Sequence, residues 1–156
     1  MEDFESIAEK FTDVVYRVAL SYCKNKYDAE DVVQNTFIKL LQSDTKFEDE
    51  MHIRKWLVRV TVNECKSMWR SFWRKNVLSL DEMETETEFT TPEKSDLYDA
   101  VMKLQPKYRI VVHLYYYEEY SVREISEILG IKETTIQTRL MRARNNLKQQ
   151  LKEDWR

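Results

Sequence analysis

Toward the C-terminal end, Thr134, Thr138, Met141, Arg142 and Asn145 fall on one face of a helical projection, flanked by Gln137 and Arg139. Short hydroxyls, amides and guanidinium groups are the side chains that read base edges in a DNA groove and grip phosphates. A second set, Arg59, Asn63, Lys66, Arg70 and Trp73, clusters on one side of another projection, with Lys55 beside it. Cations next to a ring suit an unpaired strand, because bases stack on the ring and phosphates pair with the cations. A third set opens with Asp28, Glu30 and Asp31 and continues through Gln34, Asn35 and Gln42, with Ile38 inside this polar face. An apolar side chain there hints at a protein partner, although one exposed isoleucine is also ordinary for a soluble chain.

Bond-making chemistry finds little support. His52 and His113 are far apart, no Cys–His spacing suggests zinc, and no phosphate-binding loop is present. Asp28, Glu30 and Asp31 could hold a cation, but a solvated helix start or a partner face suits them better. No catalytic residue, metal, cofactor or small-molecule substrate is therefore expected.

The elements that must position these sets are helices. The 156 residues include one Gly and two Pro, and the mix is rich in Leu, Glu, Lys and Arg. The net charge of −3 is polarised: residues 1–80 are neutral, 81–100 carry −7 and 101–156 carry +4. Local fields decide contact with nucleic acid, so an acidic total does not exclude it. Two cysteines, Cys23 and Cys65, are too few for a disulfide framework and are expected as buried free thiols. The N-terminus lacks a signal pattern, and no apolar run approaches the ~20 residues of a membrane span. A cytoplasmic location is expected.

The expected architecture is all-α, with two small helical domains: residues 1–75, a linker at 76–92, and residues 93–156. In the first, Ile7, Phe11, Val14, Val15, Val18, Ala19 and Tyr22 predict a helix over about Phe4–Lys24. A second helix is expected from Asp28, as N-cap, to about Gln42, with Val33, Phe37, Leu40 and Leu41 inward. A third covers about Ile53–Arg74, with Ile53, Leu57, Val60 and Met68 inward, Trp56 and Trp69 in the core, and Trp73 undecided. The acidic, Thr-rich run Asp81–Glu88 has little to bury and reads as flexible. The last block predicts helices over Asp96–Leu104, Pro106–Tyr117, Val122–Leu129 and Thr134–Leu151. Ser121 and Glu124 have capping-box spacing. Gly130, the one glycine, sits where a helix must end and turn, Ile131 follows as a core plug, and Ile136, Leu140, Ala143 and Leu147 form the next buried stripe. This is a helix-turn-helix pattern. Periodicity alone fits an ordinary helical hairpin equally well; the lone glycine and the uneven outer face favour DNA.

Taken together, the sequence resembles an extracytoplasmic-function (ECF) sigma factor of bacterial RNA polymerase. Asp28-Ala-Glu-Asp-Val-Val-Gln-Asn-Thr-Phe-Ile-Lys-Leu-Leu41 resembles the core-binding helix of region 2, and Arg54-Lys-Trp-Leu-Val-Arg-Val-Thr-Val-Asn63 its −10-reading segment. Leu104-Gln-Pro-Lys-Tyr-Arg109, Glu124–Gly130 and Thr135–Arg144 resemble region 4. The resemblance implies that Asp28, Glu30, Asp31, Gln34, Asn35 and Ile38 dock on the clamp of the polymerase's largest subunit. The loop about Ser43–His52 and Asn63 would hold a flipped −10 base, with Arg59, Lys66, Arg70 and Trp73 supporting the strand. Thr134, Gln137, Thr138, Met141 and Arg142 would read −35 duplex, with Arg139 on phosphate. It also implies contact with the flap of the second subunit, an anti-sigma factor as partner, and a linker that follows the template channel. Thr134 stands where the family often has a small residue and Gln137 where it often has a basic one, which predicts a shifted −35 preference. Two other readings are an autonomous helix-turn-helix repressor, which would need a dimer surface, and a helical adaptor, which leaves the basic faces unexplained.

Overall fold

The computed structural model describes residues 3–76 and 96–154, and the side chains of 72–76 and 153–154 lie outside the described residues. The expected linker and the ring of Trp73 therefore fall outside them. The chain divides into two compact units, Met1–Glu88 and Phe89–Arg156. Every described regular element is helical.

The first unit is built from α1 (Phe4–Cys23), α2 (Lys26–Gln42) and α3 (Glu50–Asn76), each packed on the other two. Asp3 caps α1 by accepting from the Ser6 N–H. The helix ends at Lys24 in the left-handed region (φ 58°), whose N–H donates to the Leu20 carbonyl. Two residues later the chain is helical again. Asn25, not Asp28, is the N-cap of α2, its side chain accepting from Tyr27 N at 2.8 Å and Asp28 N at 3.2 Å. Both residue types cap well, and the tight link from α1 decides between them. Asp28 still lies in the first turn, where its charge suits the helix dipole.

The earlier start accompanies a different inner face of α2. Ala29, Val32, Thr36 and Leu40 form the buried stripe at spacings of three and four, with Phe37 beside it. Val33 is only half-buried, and Leu41, expected inside, is 62% exposed. In α3 the start also moves outward, because Asp49 accepts from the His52 N–H and its carbonyl from Ile53. Packing on two helices widens the inner face of α3 to Ile53, Leu57, Val58, Thr61, Val62 and Cys65, leaving Val60 and Met68 at its edge. Trp56 and Trp69, expected in the core, are half-buried. Ion pairs Lys10–Glu50 and Lys39–Glu64 join α3 to α1 and to α2.

The second unit comprises α4 (Asp96–Met102), α5 (Pro106–Val112), α6 (Val122–Leu129) and α7 (Glu133–Asp154), and α7 touches all the others. Pro106 opens α5, where a missing N–H costs nothing. The α-helix expected to reach Tyr117 stops at Val112 and continues as one wide π-turn over His113–Tyr117, closed by Glu118 N–H on the His113 carbonyl. Here His113 Nε2 lies 2.8 Å from Glu118 Oε2, both buried, and His113 stacks on Tyr117. Arg109 is buried and donates to the Leu104 carbonyl at 2.6 Å, satisfying the chain end just past α4.

Ser121 and Glu124 close a full capping box at the start of α6, with bonds of 3.1 and 3.0 Å. Gly130 ends that helix at φ 69°, as its position requires. Ile131 is half-buried, and its carbonyl accepts from the Ser126 hydroxyl. Ile136, Leu140 and Ala143 are buried, with Leu147 half-buried below them. A Cβ at Gly130 would meet nothing within 4 Å, so a side chain there costs backbone strain and no clash. Ser121→Ala and Gly130→Ala are each expected to lower the stability of the second unit by about 1 kcal/mol. Chemical denaturation followed by circular dichroism checks both, and an unchanged midpoint for either removes that capping role.

Candidate functional site

Three outward faces follow from the three inward ones. On α2, Tyr27, Asp31, Gln34, Ile38 and Leu41 recur at spacings of four, three, four and three, which puts them in one stripe. All five are exposed, Tyr27 at 74% and Ile38 at 48%. Glu30 and Asn35 stand exposed on either flank, and Asp28 is half-buried at the helix start. The face thus carries three large apolar side chains among carboxylates and amides, where one was expected. Tyr27 was missed because α2 was started at Asp28, three residues past its cap Asn25, and Leu41 because it was assigned to the core.

On α3 the outward stripe runs through Arg59, Asn63, Lys66 and Arg70 at spacings of four, three and four. Arg59, Asn63 and Arg70 are exposed, while Lys66 and Lys55 are half-buried. At the head of this stripe the loop after α2 is pinned by Phe47. Its ring meets Trp56 edge-on at 5.6 Å and His52 at 5.1 Å. Glu48 N–H donates to His52 Nδ1 at 3.1 Å. The loop is thereby held by a ring cluster that no spacing rule revealed.

On α7, Thr134, Gln137, Met141, Arg142 and Asn145 are exposed, and Thr138 and Arg139 are half-buried. The Thr138 hydroxyl donates to the Thr134 carbonyl at 2.9 Å, which uses its one proton and leaves the oxygen able to accept. Met141 stands 54% exposed between Gln137 and Arg142, which are exposed as well. The buried Ile136–Leu140–Ala143 stripe lies on the other side, so the packing that holds α7 also aims this face.

The second unit also has an apolar groove of about 530 Å³, lined by Leu97, Val101, Val112, Tyr116, Tyr117 and Leu147. Arg144 and Lys148 stand at its edge. Arg144 Nε donates to the Tyr116 hydroxyl at 2.7 Å and its guanidinium lies over the rings of Tyr115 and Tyr116. The groove joins α4, α5, the π-turn and α7, which is why no single periodic segment announced it.

Among the described residues, no group of three or more His, Cys, Asp or Glu side chains gathers where a metal ion could be held. No described helix is long and apolar enough to cross a membrane.

Comparison with known proteins identifies the arrangement. Residues 7–75 match the family description "Sigma-70 region 2", and residues 94–147 match "Sigma-70, region 4". RNA polymerase sigma factor SigV of Bacillus subtilis is 34% identical over 146 residues, covering 89% of this chain and 86% of its own length. ECF RNA polymerase sigma factor SigE of Mycolicibacterium smegmatis is 31% identical over 161 residues; the match covers 97% of this chain but 62% of that longer relative. In fold, the sigma factor RpoE of Bartonella quintana, solved in complex with the anti-sigma factor NepR, aligns over 97% of this chain and 98% of its own, with a TM-score of 0.78 at 24% identity. The chain belongs to the extracytoplasmic-function sigma factors, the alternative sigma factors that direct transcription initiation.

Proposed function

We propose that the first unit both docks on core RNA polymerase and captures the melted −10 strand, while the second reads −35 duplex. One observation carries the reading. In each unit, the helix bearing DNA-type side chains buries its opposite face, so Arg59, Asn63 and Arg70 in one and Thr134, Gln137, Met141 and Arg142 in the other stand in solvent. The α2 stripe supplies the polymerase contact, with Asp31, Gln34 and Asn35 giving specificity and Tyr27, Ile38 and Leu41 the apolar centre. The groove of the second unit suits an apolar element of the polymerase flap. No bond is made or broken: binding energy for unpaired bases favours the open promoter, and the duplex contact fixes its position. The protein works in the cytoplasm, beside the polymerase it serves, with no cofactor and no substrate to transform.

An anti-sigma factor is the second partner. The Bartonella neighbour of the same fold is held by one, and exposed apolar surface on both units needs cover when polymerase is absent.

Asp31 is the most direct test of polymerase docking, since it is exposed and central in the α2 stripe. Asp31→Arg should weaken binding to core polymerase by about tenfold or more, because a reversed charge at an interface costs on the order of 1.4 kcal/mol or above. Fluorescence anisotropy with purified core reads this out, and unchanged affinity takes docking away from the face.

The −35 preference rests on Gln137, whose amide can pair with adenine N6 and N7 where a basic side chain would select guanine. Gln137→Arg should move one −35 position from adenine toward guanine, by about 1–3 kcal/mol of discrimination. A binding selection from randomised duplex with the holoenzyme measures it. If the wild type shows no adenine preference that the substitution alters, Gln137 does not read a base.

A further inference from the structure

The two cysteines are 42 positions apart in sequence, yet their Sγ atoms are separated by 3.6 Å. Cys65 is buried on the inner face of α3, and Cys23, the last residue of α1, is only half-buried. Both belong to one cluster with Ala19, Ala29 and Val32, edged by Leu20 and Met68. Small side chains at 19 and 29 let the three helices approach there. A disulfide needs sulfurs about 2.05 Å apart, so closure asks for roughly 1.5 Å of travel. The end of α1 is where that travel is cheapest: its final residue precedes the left-handed Lys24 and a two-residue link to α2.

The two sulfurs are unequal. The hydrogen bond with Cys23, followed by burial, raises the Cys65 thiol above its ordinary pKa, and the same burial shields it from solvent. Cys23 is the sulfur with access to solvent, and attack on an oxidant requires a thiolate that the oxidant can reach.

We propose that Cys23 and Cys65 form an oxidisable dithiol site, Cys23 attacking and Cys65 resolving, which a hydroperoxide converts into a disulfide joining α1 to α3. In the first step the Cys23 sulfur attacks a peroxide oxygen. An S–O bond forms, the O–O bond breaks, and with hydrogen peroxide the departing hydroxide takes up the thiol proton as water. In the second step the Cys65 sulfur attacks the Cys23 sulfenic acid. An S–S bond forms, the S–O bond breaks, and the leaving hydroxide takes the Cys65 proton as a second water. The two sulfurs lose two electrons in total and the peroxide gains them. Cytosolic disulfides are commonly transient and redox-sensing, and a pair at this spacing suits such a bond.

The test uses the full chain, reduced and then exposed to hydrogen peroxide, with remaining thiols blocked and the protein examined by mass spectrometry. The expected product is a monomer that has lost two hydrogens, has no free thiol, yields a Cys23–Cys65 linked peptide and reverts with dithiothreitol. Its melting temperature should rise by about 10 °C, since the bond closes a long loop. In Cys23→Ser, which alters the half-buried partner, loss of the Cys65 thiol should slow by about tenfold. Oxidation of Cys23 alone with Cys65 left free, disulfide-linked dimers as the only product, or equally fast loss of Cys65 in Cys23→Ser would each overturn the proposal.

Discussion

The first unit depends on one contact above all, the inner face of α3 against α1 and α2. Leu57, Val58, Thr61, Val62 and Cys65 are all but removed from water there. Each large apolar side chain so buried contributes about 1.5–3 kcal/mol, which outweighs the propensity of any single residue on the helix. Because side chains on a helix point outward at fixed angles, burying this face leaves Arg59, Asn63 and Arg70 in solvent. The same packing orients α2, whose Ala29, Val32, Thr36 and Leu40 complete the core and whose Tyr27, Asp31, Gln34, Ile38 and Leu41 face away from it. One hydrophobic contact therefore sets both of the unit's proposed binding faces.

The second unit repeats the device with α7 as its spine. Ile136, Leu140 and Ala143 seat the helix, and the left-handed Gly130 and the capping box of α6 set the angle at which it arrives. The outer face of α7 proposed to meet DNA is backed by a packed one, and a reader held in this way would lose less entropy on binding. The π-turn at His113–Tyr117 adds a second consequence. It brings the rings of Tyr116 and Tyr117 to the apolar groove, opposite α7.

Legibility followed the range of the interactions involved. The α1 stripe, the Ser121–Glu124 box and the turn at Gly130 are local in sequence, and periodicity or spacing was enough to find them. The start of α2 was misplaced because Asn25 and Asp28 are equally good caps in isolation, and only the tight link after α1 selects the first. Leu41 was read as core because an apolar residue next to Leu40 is indistinguishable from one until the helix is docked. The π-turn encloses a buried His113–Glu118 pair, the groove needs four elements to meet, and the Cys23–Cys65 contact joins residues 42 positions apart. None of these has a one-dimensional signature. The family resemblance was visible because three motifs occurred in order, and a motif records tertiary constraints that periodicity does not.

This chain should confer promoter choice on a polymerase that lacks it. Run-off transcription with purified bacterial core polymerase and a randomised promoter library measures that directly, comparing core alone with core plus the protein. Discrete start sites should appear only with the protein and share two upstream elements at fixed spacing. Specific duplex binding by the protein alone, with no start sites in the presence of core, would contradict it.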